Sequence, residues 1–188
     1  MSEELEQFPK QASPWNTGMK WGVILFVLAA AMYYLTHMNT DFGSVESYEA
    51  TQKNPIQYAG FLISLAILIV AQLEHRNKDL GGYMSFARAF GIGTIVFLTY
   101  GLLDSMLTYV EMSMIHPEVI ETLQNIQMKN LQSGNFSAEE MEMAYERSKS
   151  FTTPTAISIV KFFGSLLLGV IFSLLTGLFT RKANPDEI

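Results

Sequence analysis

An aspartate stands well inside a long apolar run. Between Arg88 and Glu111 lie 22 residues whose one charged member is Asp104. Within hydrocarbon an acid near mid-helix costs about 2.5–3.5 kcal/mol on insertion scales, so it must face protein or water and not lipid. Gly93, Phe97, Tyr100, Asp104, Thr108 and Glu111 recur at steps of three or four, which places them on one helical face. A second stripe, Ser158, Lys161, Ser165, Gly169, Ser173, Thr176 and Thr180, runs along the last apolar segment. Asp104 lies about 16 Å along its helix from Ile115, and Lys161 about 10 Å from Pro154. Antiparallel helices with facing stripes bring these charges together, so the spacing predicts an Asp104–Lys161 contact, direct or through Tyr100 or water. Two chemistries follow: an ion pair that fixes helix register, or part of a proton or ion pathway. Tyr100, Thr108, Glu111 and Ser165 complete the polar stripe. Ser165, Gly169 and Ser173 have the small-xxx-small spacing that lets helix backbones approach closely.

Other chemistry-bearing residues are scattered. On this reading His37, His75 and His116 fall in three separate loops, and none has a metal-ligand spacing such as H-E-x-x-H. The chain has no cysteine, which removes disulfides, thiolate catalysis and cysteine metal sites. Gly91-Ile92-Gly93 lacks the third glycine and the preceding strand of a dinucleotide loop. No Ser/His/Asp set or carboxylate pair emerges. The expectation is no catalytic residue, no cofactor and no metal, in a protein that is not an enzyme. Gly18-x-x-x-Gly22 supports helix packing at most.

The elements that must position these groups are membrane spans. Of the 188 residues, 49% are hydrophobic and only 16% charged, against about 25% charged in soluble domains. A net charge of −6 argues against a nucleic-acid binder, which would show a basic face. Four stretches of 19 to 22 residues are free of charge or, in one case, hold Asp104 alone. A bilayer core needs about 20 apolar residues as helix. The chain therefore reads as an all-α, polytopic membrane protein in the lipid bilayer. It forms a single membrane domain over 1–188, with spans at about 17–37, 55–74, 87–112 and 155–180. Trp15, Trp21, Tyr33 and Tyr34 sit where aromatic belts belong. Glu3, Glu4 and Glu6 precede the first span, so it reads as a retained helix and not a cleaved signal peptide.

The connections differ in kind. Residues 36–53 read as a short loop, and 74–88 as a charged tip with Gly81-Gly82 at the reversal. The third connection, about 116–150, reads as an extramembrane helical hairpin between the third and fourth spans. Pro117 suits its first helical position, Ser133-Gly134 the break, and Ser137 with Glu140 a capping box. Lys10, Lys20, Arg76, Lys78, Arg88, Arg181 and Lys182 share one face. The positive-inside rule then places both termini in the cytoplasm, with 36–53 and 112–153 periplasmic.

Two short motifs carry a family resemblance. GGYMSFARAFGIG at 81–93, IHPEVIE at 115–121, the polar helical pair and a last span ending in Arg181-Lys182 stand together. The combination resembles the uncharacterised membrane proteins of Bacteroidetes grouped as domain of unknown function 4199. The resemblance covers nearly the whole chain and implies a multi-pass bacterial inner-membrane protein; it carries over no activity or catalytic residue. An association of such genes with polyprenol-linked glycosyltransferases points to such an enzyme as a protein partner. The leading functional expectation is a non-enzymatic accessory or scaffold subunit for a membrane partner. The alternative is a small transporter or channel, built as a homo-oligomer around the Asp104 stripe. A water-filled cavity reaching Asp104 favours the second; a dry, packed bundle favours the first.

Overall fold

A computed structural model describes residues 12–134 and 136–183. Glu3, Glu4, Glu6 and Lys10, which entered the sequence reading, lie outside the described residues. Among the described residues there is no strand, only an isolated antiparallel bridge between Met84 and Lys182. The helices are α1 (Pro14–His37), α2 (Val45–Gln52), α3 (Ala59–Glu74), α4 (Phe86–Val110), α5 (Glu118–Gln132), α6 (Ala138–Phe151) and α7 (Pro154–Thr180). Their starts follow capping chemistry. Ser13, Ser85 and Thr153 each accept a hydrogen bond from a backbone N–H of the first turn of α1, α4 and α7. Ser137 and Glu140 form the full capping box of α6. Pro117 occupies the N-cap position of α5 without a capping bond, one place before the first helical position its type suits.

Four segments are long and apolar enough to cross a membrane: Pro14–His37, Ala59–Asp79, Phe86–Ile115 and Pro154–Thr180. Their outward residues, such as Leu62, Val160, Leu167 and Phe179, remain exposed, which suits a surface facing lipid. Two segments run further than sequence periodicity indicated. The second starts after a 3-10 turn at Pro55–Tyr58 and continues beyond Glu74 through a π-helical turn, His75–Asp79. The third passes residue 112 through a second π-helical turn, Glu111–Ile115. The histidines read as loop residues therefore move: His37 ends α1, and His75 is fully buried in the first π turn. The 36–53 connection likewise contains α2. At the reversal Gly81 and Gly82 take φ of +65° and +98°, which only glycine adopts without strain.

α4 is the central helix, packed along α7 on one side and α1 on another. The α4–α7 seam is antiparallel and pairs small residues with larger ones. A Cβ on Gly93 would strike Ser173, one on Gly101 would strike Ser165, and one on Gly169 would strike the Phe97 ring and Cβ. Each step of four along α4 is matched by four back along α7. The seam is polar by composition yet internally satisfied. The hydroxyls of Ser158, Ser165, Ser173 and Thr176 all donate to carbonyls of α7 itself. α1 uses the same device in parallel orientation: Gly18 lies against Ile95, and Gly22 against Thr99 and the Val96 carbonyl.

The bundle is locked at the end carrying the glycine turn, called here the basic end. Buried Gln72 donates to the Ala89 carbonyl at 3.0 Å and accepts from Thr180 at 2.9 Å, joining α3, α4 and α7. Arg76 donates to the Thr180 carbonyl at 3.0 Å, satisfying an acceptor at the end of α7. The opposite end, where α2, α5 and α6 lie, is the cap end.

Replacing Gly169 by Leu must displace Phe97, so Gly169→Leu is expected to destabilise the detergent-solubilised protein by about 1–3 kcal/mol or more. Gly164→Leu meets no heavy atom within 4 Å at its new Cβ and should leave stability unchanged or slightly raised. Thermal unfolding of the two variants checks the seam; equal losses would contradict it.

Candidate functional site

Two cavities lie in the bundle away from the basic-end lock. The first, of about 420 Å3, is lined by Tyr33, His37, Tyr48, Tyr100, Asp104, Thr108, Glu111 and Lys161, with Ala29, Met32 and Ile157 among its apolar walls. The second, of about 390 Å3, is more apolar and includes Leu25, Phe61, Phe97, Leu168 and Phe172. They share Ala29, Met32, Gly60, Tyr100, Asp104 and Lys161, so the charged pair stands where they meet.

The pair follows from the seam. One further step along the α4–α7 register brings Lys161 opposite the turn that holds Asp104 and Thr108. Its ammonium lies 3.0 Å from Asp104 Oδ2 and donates to Thr108 Oγ1 at 2.7 Å. Thr108 in turn donates to the Asp104 carbonyl at 2.8 Å. The Tyr100 hydroxyl lies beside the Asp104 carboxylate. Asp104 is largely buried, whereas the Lys161 side chain is 43% exposed and skirts the cavities.

Glu111 opens the π turn at the cap end of α4. The Glu111 carbonyl accepts from the His116 N–H at 2.7 Å, closing that turn. An inserted π turn alters which way side chains leave a helix, and such turns often occur at functional sites. Glu111 itself still donates its N–H to the Leu107 carbonyl, so its carboxylate keeps to the face of Asp104 and Thr108, where the residue is 7% exposed and near the Tyr33 hydroxyl. Its Oε1 has no hydrogen-bond partner. His37, also 7% exposed, stacks on Tyr33 with ring centroids 4.0 Å apart. His37 Nδ1 is 2.8 Å from the Tyr33 carbonyl, which can only accept, so Nδ1 carries the proton. His37 Nε2 is buried and unpartnered.

The cap connects to this wall. Phe42 stacks on His37 at 5.9 Å on one side and meets His116 at 4.1 Å on the other. Buried Thr122 of α5 donates to the Phe42 carbonyl at 2.7 Å, pinning the segment before α2 to the cap. α2 is held by Glu49, which pairs with Lys129 of α5 at 3.1 Å and with Lys53 at 3.3 Å. These hydrogen bonds, Lys129 first, hold the Glu49 carboxyl below its ordinary range. Burial pushes the Tyr48 phenol up.

Of the residues picked from sequence, Asp104, Lys161, Tyr100, Thr108 and Glu111 converge on the first cavity. Ser165 borders the second, but its hydroxyl returns to the Phe162 carbonyl and its side chain fills the space at Gly101. Gly169 and Ser173 lie in the seam and not at the cavity. Tyr33, His37 and Tyr48 were missed as site residues. The Tyr33-x-x-x-His37 spacing could have marked one face of α1. Tyr48 reaches the cavity only through the docking of α2, which no local pattern shows. A second polar cluster sits at the basic end, where Glu74 binds Lys20 and Trp21 Nε1 at 2.6 Å each and Lys78 at 3.0 Å. Among the described residues no three His, Asp or Glu side chains converge closely enough to hold a metal ion.

A family model described as protein of unknown function (DUF4199) matches residues 20–182, and the chain belongs to that family. No curated protein and no solved structure matches the chain.

Two outcomes are expected at this site. Asp104→Leu and Lys161→Met should each lower the unfolding free energy, and the double variant should lose less than the sum, by about 0.5–3 kcal/mol. Strict additivity in that cycle would mean that the pair carries no coupling. For Glu49, a folded pKa below the unfolded value means that its contribution is complete above the unfolded pKa and fades as pH falls through the folded one. Amide protection factors across α2, corrected for intrinsic exchange, should therefore fall below about pH 4. Glu49→Gln should remove that step.

Proposed function

We propose that the protein is a non-enzymatic membrane protein that takes a small polar solute into the cavity around Asp104 and Lys161, the transport-type reading of its polar stripe. One observation carries this: a cavity of about 420 Å3 reaches the charged pair and is walled by Glu111, His37 and three tyrosines. A pair needed only to fix helix register would favour close packing around it. The lock of Gln72, Arg76 and Thr180 supports a site closed at the basic end in this conformation. We place the chain in a bacterial inner membrane, with its termini cytoplasmic and its cap periplasmic, from the distribution of Lys and Arg. Four spans leave little room for a complete path within one chain, so transport would require a homo-oligomer.

A specific observation favours a second reading, the accessory subunit. Met143 and Phe151 of α6 and Phe136 just before it are at least half exposed outside the four spans, as on a helix awaiting a protein partner.

The native chain is free of cysteine, so single cysteines can report on the cavity directly. Leu107→Cys and Ile157→Cys, which line it, should react with a membrane-impermeant thiol reagent added from the cap side. Met106→Cys and Val160→Cys, nearby on the outward faces, should not. Four unreactive cysteines would describe a dry bundle and leave only the accessory reading.

A further inference from the structure

Two residues that line the first cavity carry a buried hydrogen-bond acceptor without a donor. Glu111 Oε1 and His37 Nε2 are both buried and unpartnered, on residues each 7% exposed. His37 Nε2 is an acceptor in the neutral ring because Nδ1–H is directed at the Tyr33 carbonyl. Leaving such groups dry is costly, so the site calls for a donor that can reach between α1 and the π turn of α4. Lys161 turns two of its three N–H donors to Asp104 and Thr108 and bonds neither Glu111 Oε1 nor His37 Nε2.

Charge points the same way. With both carboxyls ionised, Asp104 and Glu111 against the one ammonium of Lys161 leave the residues lining the cavity one negative charge in excess. Tyr33, Tyr48 and Tyr100 add aromatic rings to the lining, a residue type whose faces attract cations. An anion would meet unpaired acceptors, and a quaternary cation has no N–H to offer them. A group that is positive, compact and rich in N–H donors fits both demands. We infer that the cavity between Glu111 and His37 is a binding site for a primary ammonium group. The group is carried either by a free small amine or by an aminophospholipid headgroup. For the lipid, the adjoining 390 Å3 apolar cavity bordered by Phe61, Leu168 and Phe172 offers room for part of an acyl chain. The inference rests on the solute-binding reading above and deepens it.

The test uses the full-length protein in nanodiscs of phosphatidylcholine and phosphatidylglycerol, read by its thermal unfolding midpoint. Ethylammonium chloride should raise the midpoint in a saturable way, while tetramethylammonium chloride and sodium chloride at equal ionic strength should not. Glu111→Gln should shift the ethylammonium response to concentrations about tenfold higher, the expected loss of one charge-assisted hydrogen bond. In nanodiscs with phosphatidylethanolamine, a raised baseline midpoint and no further effect of ethylammonium would identify the lipid headgroup as the source. An undiminished ethylammonium response there would identify a free amine. Equal responses to the three salts, or no response in either lipid, would overturn the ammonium site. If Leu107→Cys and Ile157→Cys were nonetheless labelled, the solute-binding reading would stand and only the ligand class would fall; without labelling, both fall. The comparison of salts needs only the native chain, so it decides the matter even if Glu111→Gln does not fold.

Discussion

Everything at the candidate site depends on how closely α4 and α7 approach. Phe97 fits over Gly169, while Ser173 and Ser165 fit against Gly93 and Gly101. In lipid no hydrophobic force distinguishes a helix surface from its surroundings, so association rests on packing contact and on polar groups that find partners. The alternation of large and small fixes the register to a single value, because a slip of one residue would set side chain against side chain. That register carries Lys161 to Asp104. The ion pair is thus a consequence of the seam as much as a cause of it, and the two reinforce each other.

The same apolar surroundings explain where polar groups can be tolerated. Hydroxyls along most of α7 donate to their own helix, so a stripe that looks hydrophilic in sequence behaves as a set of small, satisfied side chains. Polar groups unable to do this have gathered into two places. At the basic end they are paired across helices, as with Gln72, Thr180 and Arg76, and they close the bundle. Toward the cap end Glu111 and His37 each leave a buried atom without a partner, beside a cavity. The contrast between a saturated end and an unsaturated one gives the molecule its polarity of structure.

The cap is part of that second region. Phe42 lies between His37 and His116, and Thr122 holds the Phe42 backbone, so α5 and the wall of the cavity are mechanically joined. The ion pairs of Glu49 add a second tie between α2 and α5 outside the spans. Movement of α5 would shift Phe42 and, through it, the ring of His37. The π turn at Glu111–Ile115 sits at the root of the same linkage, where the hydrogen-bond ladder of α4 changes pitch.

Length and hydropathy alone were enough for four spans, because the thickness of a bilayer imposes a length on any helix that crosses it, while the helical hairpin was legible from its start, break and capping residues. The stripes on α4 and α7 were also legible, since three- and four-residue spacing maps directly onto a helical face. Asp104 and Lys161 could be matched because both their depths follow from a fixed rise per residue. The π turns were not legible: their extra residue is set by what the helix end packs against, and His75, read as a loop residue, is helical and buried. Nor could the cavity be read, because it is the space left between α1, α4 and α7 after their glycines have set the distances. Local periodicity determines which face a residue takes. Whether that face meets a neighbour, lipid or an empty volume depends on contacts between segments far apart in the chain, and only the tertiary structure decides that.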